Sequence, residues 1–390
     1  MKIYIKENVW DLALARMRRL FDEFENVIIS SSGGKDSAVI MELALIVAEE
    51  KDRLPVKMLF LDQEAEYRMT IEYMRIAMAD PRIEPLWIQV PIKLFNATSM
   101  EEPWLMCWKE GEEWMRPKEQ VSIKENVFGT DRFHKIFPTM LDHYFPESSA
   151  CYLAGVRAEE SPARLAGLTV DATYKDITWG KVLNKEKGHY TFYPIYDWCL
   201  SDVWKAIDNN GWNYCKIYDE LYRYGLSPHA MRVSNLHHET AVHSLFFLHE
   251  IESDTWDALT KRLSGINQAK HMEKSEMFAV QKLPYMFSGW KEYRDYLTDN
   301  LITIDKNKAK FHRLWGRMDK IYHEMKKPEL LHKKQISSIL VNDWEFVKLD
   351  GFLNSPPMIT YLDWTKGRLG NRARSKANLA YIKEKYLEQY

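Results

Sequence analysis

A lysine, an aspartate and four serines crowd one turn of the sequence, at residues 26–45, NVIISSSGGKDSAVIMELAL. Lys35 brings a full positive charge, and Ser30, Ser31, Ser32 and Ser37 bring hydroxyl donors. Gly33 and Gly34 allow a backbone to bend sharply and to approach a ligand closely. Such a set binds an oxyanion, above all a phosphate. The elements that must hold the turn can be read on either side of it. Val27, Ile28 and Ile29 form a short apolar run suited to a buried strand, and Val39, Ile40, Leu43, Ala44 and Val47 recur with helical spacing. A strand, a tight turn and a helix therefore follow one another. The first amides of that helix lack internal partners and lie at the positive end of its dipole, so an anion is favoured there.

The spacing excludes a Walker-type loop. That loop needs a glycine five residues before the Gly-Lys pair and a serine or threonine after the lysine, where this chain has Ile29 and Asp36. A second charged segment, CYLAGVRAEESPARLAGL, runs from an apolar strand at 152–156 into Arg157, Glu159, Glu160, Ser161 and Arg164. Pro162 is placed to open a helix. The guanidinium fork suits phosphate or sulfate, while a Glu160–Arg164 pair on a helix surface is the structural alternative. Asp62 ends the next expected strand, VKMLFLDQ, and is either a site residue orienting a ribose, a metal or an attacking group, or a turn residue. A helix containing Tyr67, Ile71 and Met74 is expected after it, then a third strand in PLWIQV. Alternating strands and helices imply a mainly parallel twisted α/β sheet with helices on both faces and ligands at the strands' carboxyl ends.

The run Ser-Gly-Gly-Lys-Asp-Ser at 32–37 resembles the PP-loop of ATP pyrophosphatases and phosphoadenosine phosphosulfate (PAPS) reductases. The segment from Gly155 to Arg164 is similar to the PAPS reductase motif Gly-(Leu/Val)-Arg-x-x-Glu-Ser-x-x-Arg. FYPIYDWCLSDVWKAIDNNGW resembles the family's Pro-Ile-x-x-Trp-x-x-x-Asp-Val-Trp segment, with Ser201 expected to cap its helix. The resemblance spans roughly residues 25–235 and implies an adenine nucleotide alpha hydrolase-like fold. It implies nucleotide contacts from Ser32, Gly33, Gly34, Lys35, Asp36, Ser37, Arg157, Glu160, Ser161 and Arg164, with Asp36 a candidate Mg²⁺ contact; Ser30 and Asp62 are candidate nucleotide contacts from their own places at the strand ends. It further implies ATP or another adenine nucleotide as ligand and an adenylating reaction that releases pyrophosphate, served by Lys35, Asp36 and Arg157. The later segment NLHHETAVHSLFFLHEIESDTWDALTKRLSGINQAKH resembles the IbrA-type branch, which implies a ParB-like partner, so the alternatives to adenylation are sulfonucleotide reduction with an unusual thiol and a nucleotide-sensing regulator acting with that partner.

The chain departs from the reductases in its thiols. Those enzymes attack sulfur with a cysteine in a C-terminal Glu-Cys-Gly-Leu-His motif, whereas this sequence has no cysteine after Cys215. Cys107, Cys151, Cys199 and Cys215 include no Cys-x-x-Cys pair, so neither an iron–sulfur cluster nor a structural zinc is expected. Cys151 and Cys199 read as packing residues, leaving Cys107 and Cys215 as candidate thiols. His238 and His243 are five apart and do not share a helix face well.

At 390 residues and net charge −2, the expectation is an α/β domain over 1–235, then a mainly helical region over 236–390. The tryptophan-rich stretch EEPWLMCWKEGEEWMRP is expected to pack, in near-helical spacing, against the sheet. Lys366, Arg368, Arg372 and Arg374, beside Tyr361 and Trp364, are candidate contacts to nucleic acid or nucleotide phosphates, with a solvated basic helix as the alternative. No segment approaches the ~20 apolar residues of a membrane span, and no signal-peptide core is seen, so a cytoplasmic enzyme without a membrane partner is expected.

Overall fold

The computed structural model describes residues 5–96, 104–169, 173–175, 177–229, 231–233, 235–237, 242–263, 266, 283–302, 304–322, 328–340 and 346. Its described residues fall into two compact units. One lies within Met1–Leu94, Leu105–Leu236 and Phe247–Arg262, the other within Phe95–Trp104, His237–Phe246 and Leu263–Tyr390.

The first unit begins with α1 (Val9–Glu23), whose N-cap Asn8 accepts a hydrogen bond from the Asp11 amide at 2.8 Å. Then follow β1 (Asn26–Ser31), α2 (Lys35–Glu50), β2 (Val56–Leu61), α3 (Arg68–Met78) and β3 (Ile83–Ile88). The short pair β4 (Ile92–Phe95) and β5 (Trp104–Cys107) precedes α4 (Phe133–Tyr144), β6 (Ala150–Ala154), a single 3₁₀ turn and α5 (Pro162–Thr169). Next come β7 (Thr173–Tyr174), β8 (Ile177–Asn184), β9 (His189–Phe192), α6 (Leu200–Asn210) and α7 (Ile217–Arg223). Helices α8 (Val242–Ile251) and α9 (Ser253–Arg262) follow in chain order, with α8 counted in the first unit only from Phe247 onward.

Seven strands form one sheet in the order β3-β2-β1-β6-β9-β8-β7. The five from β3 to β9 are parallel, and β8 and β7 add an antiparallel edge. The mainly parallel α/β architecture read from the sequence is therefore present. Strand β1, in the middle of the five parallel strands, buries Val27, Ile28 and Ile29. After β1 the chain builds outward through β2 and β3, then returns to lay β6 on the other flank of β1. The carboxyl ends of β1 and β6 thus border the place where the strand order reverses, the crevice in which open α/β sheets bind ligands.

Helix α2 starts at the turn that leaves β1. Twelve of its residues, Lys35 to Ser37 among them, are buried, and it packs against α1 and α6 as well as the sheet. Just beyond β6, Gly155 lies so near the first turn of α2 that a Cβ there would stand 2.7 Å from the Asp36 carbonyl carbon. The same Cβ would lie 2.9 Å from the Ser37 amide nitrogen. Only glycine permits this backbone approach, which sets the spacing between the two site-bearing segments.

Local expectations were met with three exceptions. Tyr67 stands at the N-cap of α3 rather than inside the helix. Helix α6 is capped at Cys199, whose amide donates to Asp202 at 2.7 Å, so Ser201 is not the cap; the helix starts earlier, before Asp202, because that carboxylate reaches the cap amide. The tryptophan-rich stretch is not helical: strand β5 ends at Cys107, and Trp108 turns the chain with a left-handed φ of 53°. Trp108 is nonetheless fully buried, as packing required.

The second unit contains α10 (Trp290–Asn300), α11 (Asp305–Tyr322) and α12 (Pro328–Leu340). They close around Leu297, Ile302, Phe311, Trp315, Met318, Leu331, Ile336 and Ile339. Arg294 is buried within the unit and donates to Asp319 at 2.7 and 3.0 Å and to Gln335 at 2.8 Å, so its charge is compensated.

The Gly155 contact yields a direct expectation. Gly155→Ala forces a methyl into α2 backbone and should lower stability by about 1–3 kcal/mol. Urea unfolding checks this, and wild-type stability of the variant would show that the two segments can separate freely.

Candidate functional site

The serine-rich turn joins β1 to α2 as expected. Gly33 has φ 74°, and a Cβ there would come within 2.6 Å of Thr70 Cγ2, so the position demands glycine on both grounds. The Ser37 hydroxyl donates to the Gly34 carbonyl at 2.8 Å, and the Gly33 amide donates to Ser31 Oγ at 3.2 Å, folding the loop onto itself. Ser30 is half-buried at the end of β1 and Ser32 is exposed at the turn. The Gly34 N-cap supplies no side chain to the free amides of α2.

Three charged side chains meet at this helix start. Arg157 Nε donates to Asp36 Oδ1 at 2.5 Å, and the Lys35 ammonium lies 3.1 Å from Asp36 Oδ2. All three residues are buried. Two cations share one carboxylate beside the positive end of α2. Arg157 also lies 3.6 Å from Glu159, and its Nη1 is buried without a hydrogen-bond partner.

The rest of the Arg157 segment divides. Ser161 Oγ accepts the Arg164 amide at 3.2 Å, and Arg164 is mostly exposed with its Nε 3.5 Å from Glu160. The structure brings Arg157 to the turn and leaves Arg164 paired on the surface of α5.

Asp62 is placed at the carboxyl end of β2 and is fully buried. It accepts from Trp87 Nε1 at 2.8 Å, from Gln89 Nε2 at 2.9 Å and from Arg116 at 2.6 and 2.7 Å. Two further carboxylates went unnoticed in the sequence. Glu64, in a left-handed conformation at φ 67°, accepts from the Trp108 amide and Arg262 Nε, both at 2.7 Å. Glu66 is buried, and desolvation together with the Asp62 charge pushes its carboxyl up to about 8. The alternation Asp62, Glu64, Glu66 directly after an apolar strand was the available signal. Arg116 and Arg262, by contrast, are brought in from distant segments.

A family model described as the phosphoadenosine phosphosulfate reductase domain matches residues 26–224, just over half of the chain. The chain belongs to the PAPS reductase family. A second model, a domain of unknown function (DUF3440), matches residues 225–350. The uncharacterized protein YbdN of Escherichia coli (strain K12) is 28% identical over 276 residues, which cover 68% of each chain. Among solved structures, the PAPS reductase of Candida auris, in a phosphate complex, aligns over 61% of this chain and 98% of its own, at 13% identity and TM-score 0.33. FMN adenylyltransferase of Candida glabrata, with FMN and an ATP analogue, aligns over 60% of this chain and 68% of its own, at 15% identity and TM-score 0.36.

Three of the four thiols are enclosed, and Cys199, at the N-cap of α6, is half-buried. Cys107 is buried, its Sγ donates to the Gln63 carbonyl at 3.0 Å, and burial with the Glu64 and Asp62 charges holds it well above a normal thiol. Cys215 is buried 3.7 Å from Thr70 Oγ1, and burial pushes it up to about 11. Cys151 is buried in β6, where desolvation raises it further. Thiols held protonated and enclosed are poor nucleophiles.

Asp36 does not fit the magnesium-contact role, because its two oxygens already face Arg157 and Lys35. Among the described residues no group of three or more His, Cys, Asp and Glu side chains is arranged to hold a metal ion. The basic residues Lys366, Arg368, Arg372 and Arg374, and His238, lie outside the described residues. No helix among the described residues is long and apolar enough to cross a membrane.

Glu66 sets a pH dependence. An unfolded chain releases this proton near the ordinary value of 4.5, whereas the folded protein keeps it to about 8. The folded state therefore binds more protons between these limits, and stability should fall as pH rises from 4.5 to 8, then level off. Glu66→Gln should flatten this slope in urea titrations run across the window and be more stable than wild type at its upper end. An unchanged slope would refute the assignment.

Proposed function

We propose that this PP-loop protein binds ATP or a related adenine nucleotide at the α2 turn and activates a substrate by adenylation. Residues 1–235 serve as the nucleotide-binding region in this reading, and 236–390 as an accessory region. The single observation that supports it most is the buried Lys35–Asp36–Arg157 trio at the start of α2, beside the reversal of strand order. A substrate oxygen attacks the α-phosphorus, the bond from that phosphorus to the bridging oxygen breaks, and pyrophosphate leaves with the electron pair. Negative charge grows on the departing pyrophosphate. Loop amides, Lys35 and Arg157 are suited to stabilise it, and fixed donors that need no rearrangement during the reaction are effective at this task. Asp36 holds the two cations in place, a positioning role.

Sulfonucleotide reduction is the competing reading, favoured by the family name alone. It needs a thiolate that reaches sulfur and is then released by a second thiol. Burial and raised thiol values at Cys107, Cys151 and Cys215 speak against it. Its balance-sheet product is sulfite, whereas adenylation yields pyrophosphate.

Two measurements follow. Lys35→Ala removes a charge-assisted contact worth about 1.5–3 kcal/mol, so ATP affinity should drop about 10- to 150-fold with the fold retained. Calorimetric titration decides it, and equal affinity in a folded variant would sink the site assignment. Incubation with PAPS and a thioredoxin-type donor should give no sulfite, while pyrophosphate release from ATP with a suitable acceptor should survive replacement of all four cysteines by serine. Cysteine-dependent sulfite formation would reverse the choice.

A further inference from the structure

We infer that Tyr218 belongs to the phosphate cradle, taking the first amide of α2 on its phenol oxygen and donating its own proton to a phosphate oxygen of the bound nucleotide. The inference rests on the nucleotide reading above and adds a contact that the sequence motifs do not contain.

Tyr218 lies on α7, 183 residues from the loop it touches. The Lys35 amide donates to its Oη at 3.2 Å, and the Lys35 ammonium stands 5.1 Å from the centre of its ring. One side chain thus holds both the backbone and the charged end of the loop lysine. The Lys35 amide is the first N–H of a helix whose N-cap has no side-chain bond to give. An anion arriving at this helix start therefore meets the phenol oxygen in front of that amide.

The phenol has one proton to give. Its oxygen accepts the Lys35 amide and faces the Val233 amide as well, both donors, and among the described residues no acceptor receives the O–H in return. Burial together with the nearby Asp36 charge keeps the group protonated, so it acts as a donor at any physiological pH. A buried hydroxyl proton without an acceptor is costly unless a ligand takes it.

Two further observations point the same way. A Cβ on Gly34 would lie 3.2 Å from Tyr218 Oη and 3.4 Å from Ser32 Oγ. Glycine therefore leaves open a space on which two hydroxyls converge. Across Asp36, Arg157 is 4% exposed, and its buried Nη1, 3.6 Å from Glu159 Oε2, has no hydrogen-bond partner. Unspent donors thus flank the loop on both sides, and a phosphate group offers enough oxygens for both. An amide donating to a phenol that donates to phosphate is a chain in which each bond polarises the next.

The test compares ATP, inorganic pyrophosphate and adenosine as calorimetric ligands for wild type, Tyr218→Phe and Lys35→Ala. Tyr218→Phe keeps the ring and should weaken ATP and pyrophosphate by about 10- to 150-fold, the loss of one hydrogen bond to a charged acceptor, with adenosine unaffected. A purely structural tyrosine would lower the melting temperature and leave the phosphate-selective ratio untouched, overturning the inference. Unchanged or tighter pyrophosphate binding would also overturn it, tighter binding meaning that the phenol blocks the amide. Loss of ATP affinity in Lys35→Ala but not in Tyr218→Phe defeats the inference alone, whereas wild type binding neither ATP nor pyrophosphate defeats the nucleotide reading with it. Should Tyr218→Phe not fold, a crystal structure of wild type with pyrophosphate decides: Oη in hydrogen-bond distance of a phosphate oxygen supports the contact, and Oη turned elsewhere refutes it.

Discussion

The Asp36 carboxylate joins two cations from segments 121 residues apart in sequence, and the geometry of the site depends on that junction. Without Asp36, the Lys35 and Arg157 charges would face each other in a buried place, where repulsion is poorly screened. With it, they are held side by side at the start of α2. The backbone enforces the same closeness, because Gly155 lets β6 pass against the first turn of α2 where any side chain would collide. Charge pairing and steric fit therefore specify one arrangement of the two segments.

This arrangement needs the sheet to reverse its order between β1 and β6. A chain that added each new strand on one side would leave the loop after β1 covered by the next crossover. Here β6 returns to the opposite flank, so the carboxyl ends of β1 and β6 lie side by side. Helix α7 then reaches the same turn from a third segment, through Tyr218. The site is thus assembled from three stretches of chain, each fixed by packing rather than by its neighbours in sequence.

Beside it lies a second concentration of charge, the carboxylates Asp62, Glu64 and Glu66 after β2. Asp62 and Glu64 are answered by Arg116 and Arg262, whereas Glu66 stays protonated by its surroundings. Glu64 and Trp108 both adopt left-handed backbone conformations and are bonded to each other, so local strain is tied to the same cluster. The charges here also help hold the Cys107 thiol protonated, which makes it a poor nucleophile.

The sequence alone determined what depends on local pattern. Apolar runs and helical spacing gave the strand, turn and helix around Lys35, the Asp62 strand end, and the helix opened by Pro162, because burial of one face imposes a period on nearby residues. Motif spacing likewise picked out Lys35, Asp36 and Arg157 before any contact was known. Tertiary structure decided which of these residues share a site. Arg157 turned inward to Asp36 while Arg164, seven positions on, paired with Glu160 on the surface, and nothing in their common guanidinium chemistry distinguishes the two. Tyr218 looked like one aromatic among many until α7 set it on the Lys35 amide. The tryptophan stretch, read as near-helical, became a strand and a turn because the Trp108 amide found Glu64, a partner 44 residues away. Periodicity records which side of an element is buried, and only the path of the chain through the sheet decides what it is buried against.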